Sequence, residues 1–410
     1  LQSKYPSEEM AELTGMALMN TSANATGLPA LQEHIDLFQS LLASYPSEKM
    51  FFLYAGSLAN ITAHPLDPMD QMKLFSTLDH LLKESSFPMV VKQYSRALCS
   101  MAVHESEMSK KRKYIRQAEK LLQEYPSPTI AGQISEELFN VILEDLNHDN
   151  CKKDLNTLQM LMKEYPSEVT IHSYGSGLVN IAIHCKSAEE YRSYFQQLQD
   201  LVTAYPSAKT AAQYASSLNN FIGSYPDLEP DQKDFKMLQD LAKEYPSLQF
   251  TLEYGRVLNL MIGSGENPDL IKDCLHSLQE IYRQSPSIQT ANQYAVGLIN
   301  TAWSEKDLQS RKGGLDKLHA LLMEYPFDQE TVILAMEYIK LALCLPDSKE
   351  QDDCLQKLES LLQTEQVESI LTTVSDWLKT YSPADEELAC LFKVVSICDK
   401  ALKALMDNLS

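Results

Sequence analysis

Glycine is scarce, with 13 residues in a chain of 410, and a turn-rich β architecture would need far more. Positive charge is also in deficit. Lys and Arg number 35 against 56 Asp and Glu, for a formal charge of −21 and a pI ≈ 4.8. Such a molecule repels a phosphate backbone, so nucleic acid is not expected as a partner. No run of about 18 apolar residues occurs, so no membrane-spanning helix is expected. The opening Leu1-Gln2-Ser3-Lys4-Tyr5 has no signal-peptide pattern.

The eight cysteines (Cys99, Cys151, Cys185, Cys274, Cys344, Cys354, Cys390, Cys398) make no Cys-x-x-Cys pair and no regular framework. Thiols scattered in this way serve as small core residues in a reducing compartment, and a cytoplasmic location is expected. Catalytic signatures are missing as well: there is no P-loop, no Gly-x-Gly-x-x-Gly, no His-Glu-x-x-His and no Gly-x-Ser-x-Gly. The acidic pairs Glu136-Glu137 and Glu386-Glu387 read as solvated charge on helix surfaces. Neither catalysis nor a cofactor is expected.

What the chain does have is a repeat. Tyr-Pro-Ser recurs at Tyr5, Tyr45, Tyr125, Tyr165, Tyr205 and Tyr245, with weaker versions at Phe87-Pro88, Ser285-Pro286-Ser287 and Tyr325-Pro326-Phe327. The prolines at 6, 46, 126, 166, 206, 246, 286 and 326 differ by 40 residues or a multiple of it. Pro88 arrives two residues late, which reads as a slip confined to one turn. A column of small residues keeps tighter phase: Gly15, Ala55, Ser95, Ser135, Gly175, Ala215, Gly255, Ala295, Ala335 and Ser375. Three residues on runs Leu18, Leu58, Leu98, Leu138, Leu178, Leu218, Leu258, Leu298, Tyr338 and Leu378. The columns set the count at ten repeats, with approximate bounds 6–45, 46–87, 88–125, 126–165, 166–205, 206–245, 246–285, 286–325, 326–365 and 366–405.

Each repeat reads as two helices. Between Pro206 and Tyr245, Ser207 is a suitable N-cap, and Tyr214, Ala215, Leu218, Phe221 and Ile222 form an apolar helical stripe. In the sister repeat Ser127-Pro128 places proline at the first helical position, where its missing N–H costs nothing. The polar stretch Asp227–Asp231, with Pro230 inside it, breaks the chain. A second stripe follows with Phe235, Leu238, Leu241, Ala242 and Tyr245, and Pro246 ends it. The small column is expected to let the two helices of a hairpin approach. The tyrosines Tyr54, Tyr94, Tyr174, Tyr214, Tyr254 and Tyr294 are expected in the core between repeats. One hairpin cannot bury both stripes, so neighbours must stack. The expected fold is all-α: an α-solenoid of ten helix-turn-helix repeats, running as one continuous domain over residues 1–410.

These residues resemble tetratricopeptide repeats. Tyr214-Ala215-x-x-Leu218 stands at that family's first-helix core with its large residues exchanged, and Pro246 matches the closing proline. The likeness runs from about Pro6 to Leu405, with a period of 40 residues where the family has about 34. It implies a right-handed superhelix whose concave surface is lined by the helix after each Tyr-Pro-Ser, where a peptide or protein partner would be held.

A helix turns about 100° per residue, so Asn20, Asn60, Asn140, Asn180, Asn220 and Asn300, two residues past the leucine column, lie away from the buried stripe. Gln93, Gln133, Gln213 and Gln293 fall near the same face, with Lys92, Arg96 and Arg256. One reading is a polar ladder that grips an extended peptide. The other is that these amides satisfy local carbonyls or face water. Lys92 and Arg96 make a basic i,i+4 pair, but the flanking equivalents of Arg96 are Gly56 and Glu136, so a carboxylate-clamp pattern is not met. His64, His104 and His184 sit at equivalent positions in different repeats, about 10 Å apart at the closest, too far to share one ion. His184-Cys185 and Cys274-Leu275-His276 are isolated, and no metal site is expected. The sequons at Asn20, Asn24 and Asn60 would go unused in the cytosol.

The function expected is a non-catalytic protein–protein interaction scaffold. The alternative is the sensing or recruiting arm of a larger signalling enzyme. Leu1–Tyr5 resembles the tail of a preceding helix, and the closing Ala401-Leu402-Lys403-Ala404-Leu405-Met406 is not strongly polar.

Overall fold

The computed structural model describes residues 7–22, 28–62, 67–85, 87–225, 232–265, 267–345, 349–384 and 387–409. Leu1–Pro6, the sequon at Asn24, His64, the break at Asp227–Asp231 and Glu386 lie outside the described residues.

Among the described residues there are twenty helices and no strand, an all-α helical repeat of the solenoid class. Hairpins one to five are α1 (Glu8–Ser22) with α2 (Leu28–Ser44), α3 (Glu48–Ile61) with α4 (Pro68–Glu84), α5 (Pro88–His104) with α6 (Met108–Glu124), α7 (Pro128–Glu144) with α8 (His148–Glu164), and α9 (Glu168–Ile183) with α10 (Ala188–Ala204). Hairpins six to ten are α11 (Ala208–Ser224) with α12 (Gln232–Glu244), α13 (Leu248–Ser264) with α14 (Pro268–Gln284), α15 (Ile288–Ser304) with α16 (Leu308–Glu324), α17 (Asp328–Cys344) with α18 (Lys349–Leu361), and α19 (Val367–Leu378) with α20 (Leu388–Leu409). No helix is long and apolar enough to cross a membrane. The chain divides into two compact units, Leu1–Gln213 and Tyr214–Ser410.

The Tyr-Pro-Ser signature is the joint between hairpins. The N–H of Tyr45, Tyr125, Tyr165, Tyr205, Tyr245 and Tyr325 closes the last helical turn, and the proline that follows has no N–H to continue it. The serine then caps the next helix, except at Ser127, whose side chain makes no cap bond: Ser47 accepts from the Met50 N–H, and Ser247 from that of Phe250. Ser207 does the same for Thr210, whose hydroxyl oxygen in turn accepts from the Ser207 N–H at 3.0 Å. Ser167 and Ser287 form the same reciprocal boxes with Thr170 and Thr290.

Pro88 is no slip. It occupies the first position of α5, as Pro128 does in α7, and α4 and α5 start at the 40-residue phase of their neighbours. The residues equivalent to Tyr-Pro are Ser85 and Ser86, so the period is intact and only the signature is lost.

The leucine column is the core. Leu58, Leu98, Leu138, Leu178, Leu218, Leu258 and Leu298 are at most 2% exposed, each removing enough apolar surface from water to contribute about 1.5–3 kcal/mol. The tyrosine column is buried with it, as expected. Its hydroxyls reach second helices: Tyr174 donates to Gln197 and accepts from Gln159, and Tyr214 donates to Asp234.

The small column meets its own second helix, as expected, with a Cβ on Gly15 3.5 Å from Phe38 of α2 and one on Gly175 3.1 Å from Leu201 of α10, and it also meets the next hairpin. A Cβ on Gly15 would meet Leu53 and Met50 of α3, and on Gly255 it would meet Gln293 of α15. The close approach is therefore chiefly between first helices of successive hairpins. Ser375 is the exception. It is exposed in α19, where Ile370 and Val374 are the buried residues.

In unit 1 the first helices pack in a row, α1 on α3 on α5 on α7 on α9, and each second helix wedges against the first helices flanking it. Consecutive second helices α2, α4, α6, α8 and α10 make no comparable contact among the described residues. In unit 2, α13 packs on α15, α15 on α17 and α17 on α19.

Candidate functional site

The Asn and Gln columns are spent largely inside the stack. Asn60 donates its amide to the Met19 carbonyl at 2.8 Å, and Asn180 to that of Ile142 at 3.1 Å. Asn300 reaches the Asn259 carbonyl at 3.5 Å, and Asn140 stays on its own helix, 3.4 Å from Glu137 Oε2. Asn220 is half-buried. Gln213 is buried and donates to the His172 carbonyl and to Ser176 Oγ on the preceding first helix. Gln293 accepts from Asn259 at 2.8 Å. Gln93 and Gln133 are half-buried. The basic residues divide. Arg96 donates to Asn60 Oδ1 at 2.6 Å and to the Gly56 carbonyl at 3.2 Å, Arg256 pairs along its own exposed face with Glu253, and Lys92 is half-buried. These residues act mainly as staples between hairpins and do not form one open ladder.

A different position draws attention. Two residues beyond the small column, a second column reads Ser57, Ala97, Glu137, Gly177, Ser217, Val257, Gly297 and Glu337. Its members face the preceding hairpin: a Cβ on Gly177 would touch Leu155 and Leu158, and on Gly297 it would come within 2.5 Å of Leu278. Two carboxylates intrude on this packed column, five periods apart.

They are satisfied differently. Glu337, 2% exposed, is held by the Arg311 guanidinium and, at 2.9 Å, by Lys340 Nζ. Burial pushes its carboxyl up, and those two cations more than offset this, leaving it below the usual carboxylate range. Five periods earlier, the equivalents of Arg311 and Lys340 are Lys111 on α6 of the third hairpin and Asn140 on α7 of the fourth. Lys111 is turned to Glu144, and Asn140 carries no charge. Among the described residues no ion pair reaches Glu137. Burial, only partly offset by the Asn140 hydrogen bond, pushes its carboxyl up to about 7, and neighbouring Glu136 adds to the rise.

Glu137 lines an open cavity of about 480 Å³ that spans α7, α9 and the start of α11, with Glu136, Asn140, Glu168, His172 and Lys209 on its walls. The Lys209 ammonium pairs with Glu168 at 2.7 Å, holding that carboxyl low. His172 is pushed below its ordinary value by burial and by Lys209, and its Nδ1 lies 2.9 Å from Gln213 Nε2. On the same row of first helices, Leu143 and Ile183 stand about half exposed near the ends of α7 and α9, with Val103 in the same register on α5. The arrangement offers a desolvated carboxylate and an apolar margin on the first-helix row of unit 1. Sequence reading took Glu136-Glu137 for solvated charge. The overlooked signal is a carboxylate standing in a column of small residues.

The chain matches no protein-family model and no curated protein sequence.

Proposed function

We propose that this chain is a non-catalytic, tetratricopeptide-like scaffold that holds a segment of a partner protein on the first-helix row of unit 1. The segment presents a Lys or Arg side chain to Glu137. The observation that carries this reading is the contrast between Glu337, neutralised by Arg311 and Lys340, and Glu137, which has no ion pair among the described residues. A half-buried carboxylate without an ion-pair partner is costly, and a cation supplied by a ligand relieves that cost. The formal charge of −21 favours the same class of partner by long-range attraction and disfavours nucleic acid. Leu143 and Ile183 would take apolar residues flanking the basic anchor. Five buried cysteines acting as core residues suit a reducing, cytoplasmic setting.

The test is selection of a displayed random peptide library on the whole chain, alongside Glu137→Gln. Enrichment of Lys or Arg at one fixed peptide position, lost in the variant, supports the proposal. Peptides without a basic anchor, or equal enrichment on both proteins, would sink it.

A further inference from the structure

Three potential metal ligands that are far apart in sequence meet at the outer joint of the fourth and fifth hairpins. His148 opens α8, Cys185 lies in the α9–α10 connection, and Glu190 sits in the first turn of α10. One ligand atom from each (an imidazole nitrogen, the Cys185 Sγ and a Glu190 carboxylate oxygen) lies within 4.8 Å of the others. All three residues are half-buried, so an ion could enter from solvent and still be partly shielded. His148 Nε2 stands 3.3 Å from Glu190 Oε1.

The constellation does not belong to the repeat. At the equivalents of His148 the neighbouring hairpins carry Met108 and Ala188, and at those of Cys185 they carry Asp145 and Tyr225. Glu190 replaces Asn150 of the hairpin before it. Packing of the hairpins therefore does not require these side chains here. Their meeting also removes the isolation that made His184-Cys185 look unpromising in sequence.

We infer that His148, Cys185 and Glu190 bind a borderline-soft divalent ion, with Zn2+ the best fit and a fourth position left to water. One sulfur, one imidazole and one carboxylate are a ligand set that Zn2+ accepts, with bonds of about 2.0–2.3 Å. Those lengths place ligand atoms about 3.5 Å apart, so modest side-chain rotations close the site. Lys152 presently supplies the positive charge, with Nζ 2.7 Å from Glu190 Oε1. Its side chain is 39% exposed and free to swing into solvent as the ion takes over its charge. Binding would tie α8 to α10 and so fix the fourth hairpin against the fifth.

The experiment is titration of the purified chain with Co2+, reading the thiolate-to-cobalt charge-transfer absorption, followed by displacement with Zn2+. The expected result is one equivalent of Co2+ giving that band, with the band lost in Cys185→Ser. In His148→Ala affinity should fall by at least the roughly tenfold that even an outer-sphere partner is worth. Lys152→Ala removes the competing cation and should tighten binding several-fold, which damage to the fold would not do. Absence of a charge-transfer band, a band that persists in Cys185→Ser, or weaker binding in Lys152→Ala would each overturn the assignment.

Discussion

A Cβ built on Gly175 would stand 2.1 Å from Gln213 Oε1 and 2.8 Å from its Cδ. Gln213 has little room to yield, because its Nε2 is fixed by the His172 carbonyl at 2.9 Å and Ser176 Oγ at 2.8 Å. In place of a methyl group, the glycine presents a Cα–H to the amide oxygen, a weak but favourable contact. Gly175→Ala should therefore lower stability by about 1–3 kcal/mol, against the gain of about 1 kcal/mol that helix propensity alone would give. Urea unfolding of the single variants and of Gly175→Ala/Gln213→Ala would check this. The double variant should lose less than the sum of the two single losses. Additivity would show that the clash is not what the glycine avoids.

Asn60 and Arg96 should behave as structural residues. The chain of bonds from Arg96 to Asn60 Oδ1, and from Asn60 to the Met19 carbonyl, links the first three hairpins. Asn60→Ala should cost about 1–3 kcal/mol, because it leaves the half-buried Met19 carbonyl without its donor and the Arg96 guanidinium with only the Gly56 carbonyl. A double-mutant cycle with Arg96→Ala should show coupling of at least about 0.5 kcal/mol. Peptide selection at the Glu137 pocket should be unchanged by either substitution.

The fold was legible because its signals are periodic. Tyr-Pro breaks a helix wherever it falls, and leucines at 40-residue spacing bury only if hairpins stack. What the sequence concealed is which neighbour each face meets. The small column also faces the next hairpin, and that follows from three-dimensional packing that a helical wheel does not contain. The polar columns were misleading for the same reason. Asn60 and Gln213 point away from their own leucines, yet another helix lies there to receive them. Glu137 was missed because a pair of glutamates on a helix is ordinarily solvated, and His148 with Glu190 because they are 42 residues apart.

Arg112 should be among the costliest side chains to remove. It bridges Asp145 at 2.7 Å and Asp154 at 2.6 Å, with all three side chains at most 13% exposed. The bridge joins α6 of the third hairpin to α8 and its leading turn in the fourth. Arg112→Met keeps the length of the stem but strands two shielded carboxylates, a loss of about 3–5 kcal/mol. Chemical unfolding would measure it. Arg112→Met with Asp145→Asn and Asp154→Asn should recover much of the loss, since the penalty lies in the unpaired charges.

Glu137 should make both stability and binding depend on pH, in opposite directions. Its carboxyl titrates at about 7 in the folded chain and at about 4.3 in the unfolded one. Between these values the folded state holds a proton that the unfolded state has released, so its contribution to stability falls as pH rises through that window. Glu137→Gln cannot ionise and should gain stability relative to the parent at about pH 8 but not near pH 4. A Lys- or Arg-bearing peptide prefers the ionised carboxylate, so its affinity should strengthen about tenfold from about pH 6 to about pH 8. His172 is held below its ordinary value by burial and by Lys209, which places its titration on the acid side of the Glu137 step. Fluorescence anisotropy with a selected peptide would read the slope. A flat profile in the parent, or an equal slope in Glu137→Gln, would show that this carboxylate does not meet the cation.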